Sequence, residues 1–153
     1  MTLDQPVPDF TAISTGATAF RLSAQAGRGL VLYFYPKDDT PGCTTETAAF
    51  RDHHAAFQTL AWDIVGVSRD SLSSHQRFKA KLELPFELLS DPDETLCELF
   101  GVMKLKNMYG KQVRGVERST FLIDRSSVLR REWRGVKVPG HVEDVLQAVS
   151  SLV

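Results

Sequence analysis

Cysteine is scarce in this sequence: two in 153 residues, Cys43 and Cys97, 54 positions apart and with no CxxC pair. That spacing fits neither a disulfide framework nor a zinc-ligand pattern, so reduced thiols are expected. It also removes the paired thiols that exchange chemistry on protein disulfides requires. Net charge is nearly absent, since 18 Lys and Arg against 19 Asp and Glu leave −1. Such a balance gives no broad field to draw nucleic acid or an anionic membrane, and neither is expected as a partner. No apolar run approaches the roughly 18 residues of a membrane span. The opening MTLDQPVPDF has no basic and apolar leader pattern, so a cytoplasmic protein is expected. Histidine supplies no metal-ligand set: His53 and His54 are neighbours that point apart on one helix, and His75 and His141 belong to separate helices. The glycine dipeptides GRG and YGK make no phosphate loop. Neither metal nor cofactor is expected.

What remains is a chain 42% hydrophobic, long enough to bury a core as one domain over residues 1–153. PDFTAIS and TAFRLSA, separated by Thr15-Gly16-Ala17, read as an N-terminal β-hairpin at a sheet edge. GLVLYFYP is apolar, aromatic and β-branched almost throughout, as in a central strand buried on both faces. From Thr44 onward Ala49, Phe50, His53, Ala56, Phe57 and Leu60 recur at helical spacing, and WDIVGVS follows as a second strand. A further helix fits residues 71–81, with Leu72, His75 and Phe78 in register. FELLSDPDE then leads into a short helix over 94–100 that stops at Gly101. Residues 103–117 are polar and glycine-broken and read as loop with weak strand. STFLID and VLRREWR form a strand pair, and Val142, Val145, Leu146, Val149 and Leu152 stripe a closing helix. Trp62 and Trp133 fit in or beside the core. A β-α-β half, a connecting helix, a β-hairpin and a last helix are the order of a thioredoxin-like α/β fold, a central mixed sheet flanked by helices.

The segment FYPKDDTPGCTTETAAFRD carries the chemistry. A core strand ends at Pro36, a polar loop follows, and Cys43 stands where the helix begins. A helix start has unpaired N–H groups and about half a positive charge in effect, which favours a thiolate. Pro41-Gly42 brings the chain round into the helix and leaves backbone donors free for a polar oxygen, and Thr40 adds a hydroxyl. The alternative is a small buried hydrophobe at a helix start. Pro36-x-x-x-Thr40-x-x-Cys43, linking strand end to helix start, favours the reactive reading.

YPKDDTPGCTTE resembles the active-site segment of peroxiredoxins, in particular the Q-type branch or bacterioferritin comigratory proteins. The likeness continues through LLSDPDETLCELFGV, ERSTFLID and VKVPGHVEDVL. It implies a cofactor-free thiol peroxidase for hydrogen peroxide and small organic hydroperoxides, a thioredoxin-like fold, and an external thiol reductant such as thioredoxin or glutaredoxin and glutathione. By the same resemblance Cys43 attacks the peroxide, Thr40 holds it, Pro36 shields it and Arg118 supplies the cation. Glu46 then orients Arg118; its other reading is to complement the helix dipole in the first turn. A redox-sensing module signalling through Cys43 oxidation is the competing reading, and a monomer or weak dimer is expected.

The chain departs from those relatives in its second thiol. Many carry a resolving cysteine five residues after the first, where this sequence has Ala48, and others carry one on the following helix, which here is SLSSHQRFKAK. Only Cys97 is left, on the margin of an apolar helix face. It reads as a packing residue, with a two-cysteine cycle through Cys97 as the alternative.

Overall fold

In the computed structural model, which describes residues 1–25 and 27–153, the chain opens with the expected hairpin. β1 (Thr11–Ser14) pairs antiparallel with β2 (Phe20–Arg21), and a 3-10 turn over Leu22–Gln25 follows. Then come β3 (Gly29–Phe34), α1 (Pro41–Asp52), α2 (His54–Thr59), β4 (Trp62–Ser68), α3 (Leu72–Leu82), β5 (Glu87–Ser90) and α4 (Thr95–Leu99). The rest is β6 (Met103–Met108), β7 (Lys111–Val116), β8 (Ser119–Ile123), β9 (Leu129–Arg134) and α5 (His141–Ser151).

Seven strands form one mixed sheet in the order β2-β1-β5-β4-β3-β8-β9. β3, β4 and β5 are parallel, while β8 and β1 flank them antiparallel. All six residues of β3 are buried, as its unbroken apolar run requires of a strand covered on both faces. Its side chains alternate. Leu30, Leu32 and Phe34 enter one core with Leu96 and Cys97 of α4; Val31, Tyr33 and Tyr35 enter the other with Cys43, Phe50, Phe57, Phe78 and Val145. Stepping from β3 to β4 to β5 in one direction through right-handed crossovers puts α1, α2 and α3 on the same face, and α5 joins them. Gly66 is dictated by this packing: a Cβ there would lie 2.7 Å from the Tyr33 ring, which crosses it from the neighbouring strand. Trp62 is buried and Trp133 packs beside the second core.

Two elements differ from the sequence expectation. The helical stripe that runs from Thr44 to Leu60 is split at His53. The backbone N–H of His53 and its ring Nδ1 both point at the Ala49 carbonyl, at 3.1 and 2.8 Å, and the next turn tightens to an i−3 bond from Ala56. Residues 103–117, expected as loop with weak strand, instead form a regular two-stranded hairpin of β6 and β7. Tyr109 and Gly110, both at positive φ, make its two-residue turn. Most of its side chains are exposed on both faces, so no alternation marked it in the sequence.

Candidate active site

The end of β3, the loop 35–40 and the first turn of α1 bring the candidate residues together at the C-terminal edge of the parallel strands, where α/β sheets place their ligands. Pro41 is the first helical residue, suited to it by fixed φ and a missing N–H, and Thr40 is the N-cap at φ −91° and ψ 154°. Cys43 is the third helical residue and 1% exposed. Glu46 follows one turn later on the same face and is fully buried. Arg118 precedes β8, and the Ser119–Phe34 pairing sets it against the end of β3 although 75 residues separate it from Cys43.

The Arg118 guanidinium spans the site. Nη1 donates to Glu46 Oε1 at 2.8 Å and Nη2 donates to Cys43 Sγ at 3.4 Å. Burial works against the guanidinium charge, but the Glu46 carboxylate and Cys43 more than offset it and raise Arg118 above its usual value. Burial pushes the Glu46 carboxyl up to about 7 against the pull of Arg118. Its second oxygen, Oε2, has no hydrogen-bond partner among the described residues. Of the two readings of Glu46, the geometry has the orienting contact, and the residue lies beyond the first helical turn. Gly42 keeps the space open: a Cβ there would approach Arg118 Nη2 to 3.2 Å.

Thr40 sits at the site with its hydroxyl turned outward, donating to the Lys37 carbonyl at 2.8 Å rather than capping α1. Its proton is thus engaged, and its lone pairs are what it offers a ligand. Pro36 is half-buried directly after Tyr35. Cys97 is elsewhere. It is fully buried in the core on the opposite face of the sheet from Cys43, and burial, followed by the adjacent Asp91 carboxylate, pushes its thiol far up. Asp91 receives the N–H groups of Leu96 and Cys97 and so fixes the start of α4.

Three of the four histidines have hydrogen-bond partners in the protein. His53 bonds Ala49, and His141 bonds the Thr120 hydroxyl at 2.8 Å, with burial pushing its ring down to about 4. His75 bonds Asp38, a residue the sequence reading passed over. Its signal was there: a histidine in register with Leu72 and Phe78 lies on the buried face of α3 and needs a polar partner.

A thiol at a helix start, a guanidinium on its sulfur and a carboxylate behind the guanidinium form a nucleophile with a fixed cation. The AhpC/TSA family matches residues 3–132 of the sequence. The chain belongs to that family. Peroxiredoxin Bcp of Bacillus subtilis is 48% identical over 150 residues, covering 98% of this chain and 96% of the relative. The bacterioferritin comigratory protein of Xanthomonas campestris, described by its alkyl peroxide reduction activity, superposes with a TM-score of 0.89 at 49% identity over 93% of this chain and 90% of its own. A mutant PrxQ of Xylella fastidiosa superposes at 0.93 with 42% identity, covering 99% and 96%. Peroxiredoxins of this Bcp or Q type are thiol-dependent peroxidases of thioredoxin-like fold, as the sequence led one to expect. Among the described residues no helix is long and apolar enough to cross a membrane.

Proposed function

We propose that this chain reduces hydrogen peroxide and small organic hydroperoxides by a one-cysteine cycle at Cys43. The observation that carries this reading is the Arg118 guanidinium held between Glu46 Oε1 and Cys43 Sγ at the start of α1. Cys43, as thiolate, attacks one peroxide oxygen. The O–O bond breaks, the second oxygen leaves with the electron pair and takes up a proton as water or alcohol, and sulfur is left as sulfenic acid. Negative charge moves from sulfur to oxygen along a line that Arg118 and the first-turn N–H groups of α1 can follow with hydrogen bonds. Thr40 accepts from the peroxide, and Pro36 shields the reacting atoms from water.

An external thiol then displaces water from Cys43-SOH to form a mixed disulfide, and a second thiol releases it. The position of Cys97 supports this over an internal disulfide. A disulfide needs Cα atoms within about 4.4–6.8 Å, and the central sheet lies between the two cysteines. The reductant is a thioredoxin, or glutaredoxin with glutathione, and the site of action is the cytoplasm, where such donors keep thiols reduced. Residues 1–153 work as one domain, as a monomer or weak dimer.

One equivalent of peroxide followed by dimedone tests the cycle. Intact mass and peptide mapping should place the adduct on Cys43, and excess peroxide without reductant should give sulfinic acid at the same residue. A rapid Cys43–Cys97 disulfide in monomeric protein, with turnover lost in Cys97→Ser, would replace the one-cysteine cycle by a two-cysteine one. Normal turnover in Cys43→Ser would remove the assignment altogether.

A further inference from the structure

Asp38 lies in the loop between Tyr35 and Thr40 and is 7% exposed. Its Oδ1 accepts from the Tyr35 hydroxyl at 2.7 Å. Its Oδ2 accepts from the Ser74 hydroxyl at 2.8 Å and faces His75 Nδ1 at 2.7 Å, and its own N–H donates to the Asp70 carboxylate at 2.9 Å. His75 is fully buried, and its Nε2 lies 2.8 Å from the Leu89 carbonyl. Groups on α3, β5, the turn after β4 and the residue after β3 therefore converge on one loop residue. Burial pushes the Asp38 carboxyl up, but the bonds from His75 and Tyr35 more than offset it and hold it below its usual range. Both ring nitrogens of His75 are thus engaged, one by the Asp38 carboxyl and one by the Leu89 carbonyl, with the ring closed off from solvent.

Both ring nitrogens of His75 already have protein partners, which disfavours a metal there although ligand atoms of Asp38, Asp70 and His75 lie within 4.8 Å of one another. The adjoining cavity of about 430 Å³ is lined by Lys37, Arg77 and Lys81 as well as by Asp38, Asp39 and Asp70, a charge-balanced rim rather than an acidic one. Nor is a buried polar contact an efficient source of stability, since apolar residues of like volume often do as well or better. Its strength is directional. Two residues after Asp38, Thr40 closes a turn onto the Lys37 carbonyl, so the fixed loop sets where the Thr40 oxygen stands relative to Cys43.

We propose that the buried Asp38–His75 pair is a positioning device for peroxide reduction, holding the loop 35–40 so that Thr40 meets the peroxide at Cys43. It rests on the role given to Thr40 above, and the two can fail separately. The sulfur itself is placed by α1, so alkylation, which needs no loop donor or acceptor, should not depend on the pair. Peroxide attack, which needs the loop within tenths of an ångström, should.

The test compares single-turnover rates with hydrogen peroxide and with iodoacetamide in His75→Gln, Ser74→Ala and Thr40→Val. His75→Gln should slow peroxide attack about tenfold or more while alkylation changes less than about twofold, and Ser74→Ala should shift the same ratio by about threefold. Thr40→Val should slow peroxide attack alone. An unchanged ratio in folded His75→Gln, with Thr40→Val slowed, overturns the positioning role and leaves the site reading intact. An unaffected Thr40→Val overturns both. Should His75→Gln fail to fold, the half-buried Ser74→Ala decides: a shifted ratio supports the role, and an unchanged ratio, or equal loss of both rates, overturns it.

Discussion

Replacing Glu46 with glutamine isolates what it costs to keep a carboxyl group in the core beside Cys43. The group is fully buried and its folded value is about 7, against 4.5 for an ordinary carboxyl. Between those two pH values the folded protein holds a proton that the unfolded chain has released, so stability falls as pH rises. At 1.36 kcal/mol per pH unit the gap corresponds to about 3 kcal/mol, absent below pH 4.5 and fully expressed above pH 7. The amide in Glu46→Gln keeps an oxygen for Arg118 Nη1 but has no proton to lose. Urea denaturation of both proteins at matched pH cancels the titration of all other groups. The variant's advantage over wild type should grow by about 3 kcal/mol from pH 4.5 to 7 and then level off, a midpoint shift of about 1–2 M for a chain of this size. A constant offset across that range, or an advantage that shrinks as pH rises, would refute the account of Glu46. Peroxide attack should slow in the same variant, because a neutral acceptor holds the guanidinium less firmly than a carboxylate does.

Arg118→Met removes both bonds to Glu46 and Cys43, and stopped-flow peroxide attack should slow by a factor on the order of 10², an unchanged rate removing Arg118 from the site. Gly42→Ala puts a Cβ 3.2 Å from Arg118 Nη2, so the guanidinium must shift and peroxide attack should fall severalfold in single-turnover measurements, an unchanged rate showing that its place is not critical. Cys97→Ser should keep most of the turnover with an external thiol, and total loss in a folded variant would restore Cys97 as a resolving residue. His141 is pushed down to about 4 from 6.5, so the unfolded chain binds a proton first and stability drains away as pH falls from 6.5 towards 4. His141→Asn should flatten that acid limb in urea midpoints, and an unchanged limb would remove His141 from it.

The central strands were legible because burial on both faces leaves nothing but apolar, β-branched and aromatic residues, as in GLVLYF and WDIVGVS. The place of Cys43 in the fold was legible because a proline, a threonine and a cysteine at fixed intervals mark a strand-to-helix turn. Arg118 and Glu46 were reached only through the family resemblance, since a pair 72 residues apart leaves no local trace. The β6–β7 hairpin escaped because solvent on both faces imposes no alternation. The break at His53 escaped because periodicity records which face is apolar, not whether one carbonyl is shared by a side chain. Asp38 and Asp39 show the limit most clearly: adjacent and chemically identical, one is buried in a hydrogen-bond hub and the other is exposed and pairs with Lys81.

The two cores divided by the central sheet also act as a map for engineering. A second thiol introduced on α1, α2, α3 or α5 shares a layer with Cys43 and can reach it by movement of one helix across a surface it already touches. A thiol anywhere on α4 faces the other way, and bringing it to Cys43 means opening ladder bonds between β3 and its neighbours, the most deeply buried strands in the molecule. If the proposed one-cysteine cycle holds, conversion of this chain to a self-resolving enzyme is a question of layer before it is one of distance. The same division, on the proposed one-cysteine cycle, makes Cys97 a thiol whose modification should report unfolding of the core around α4.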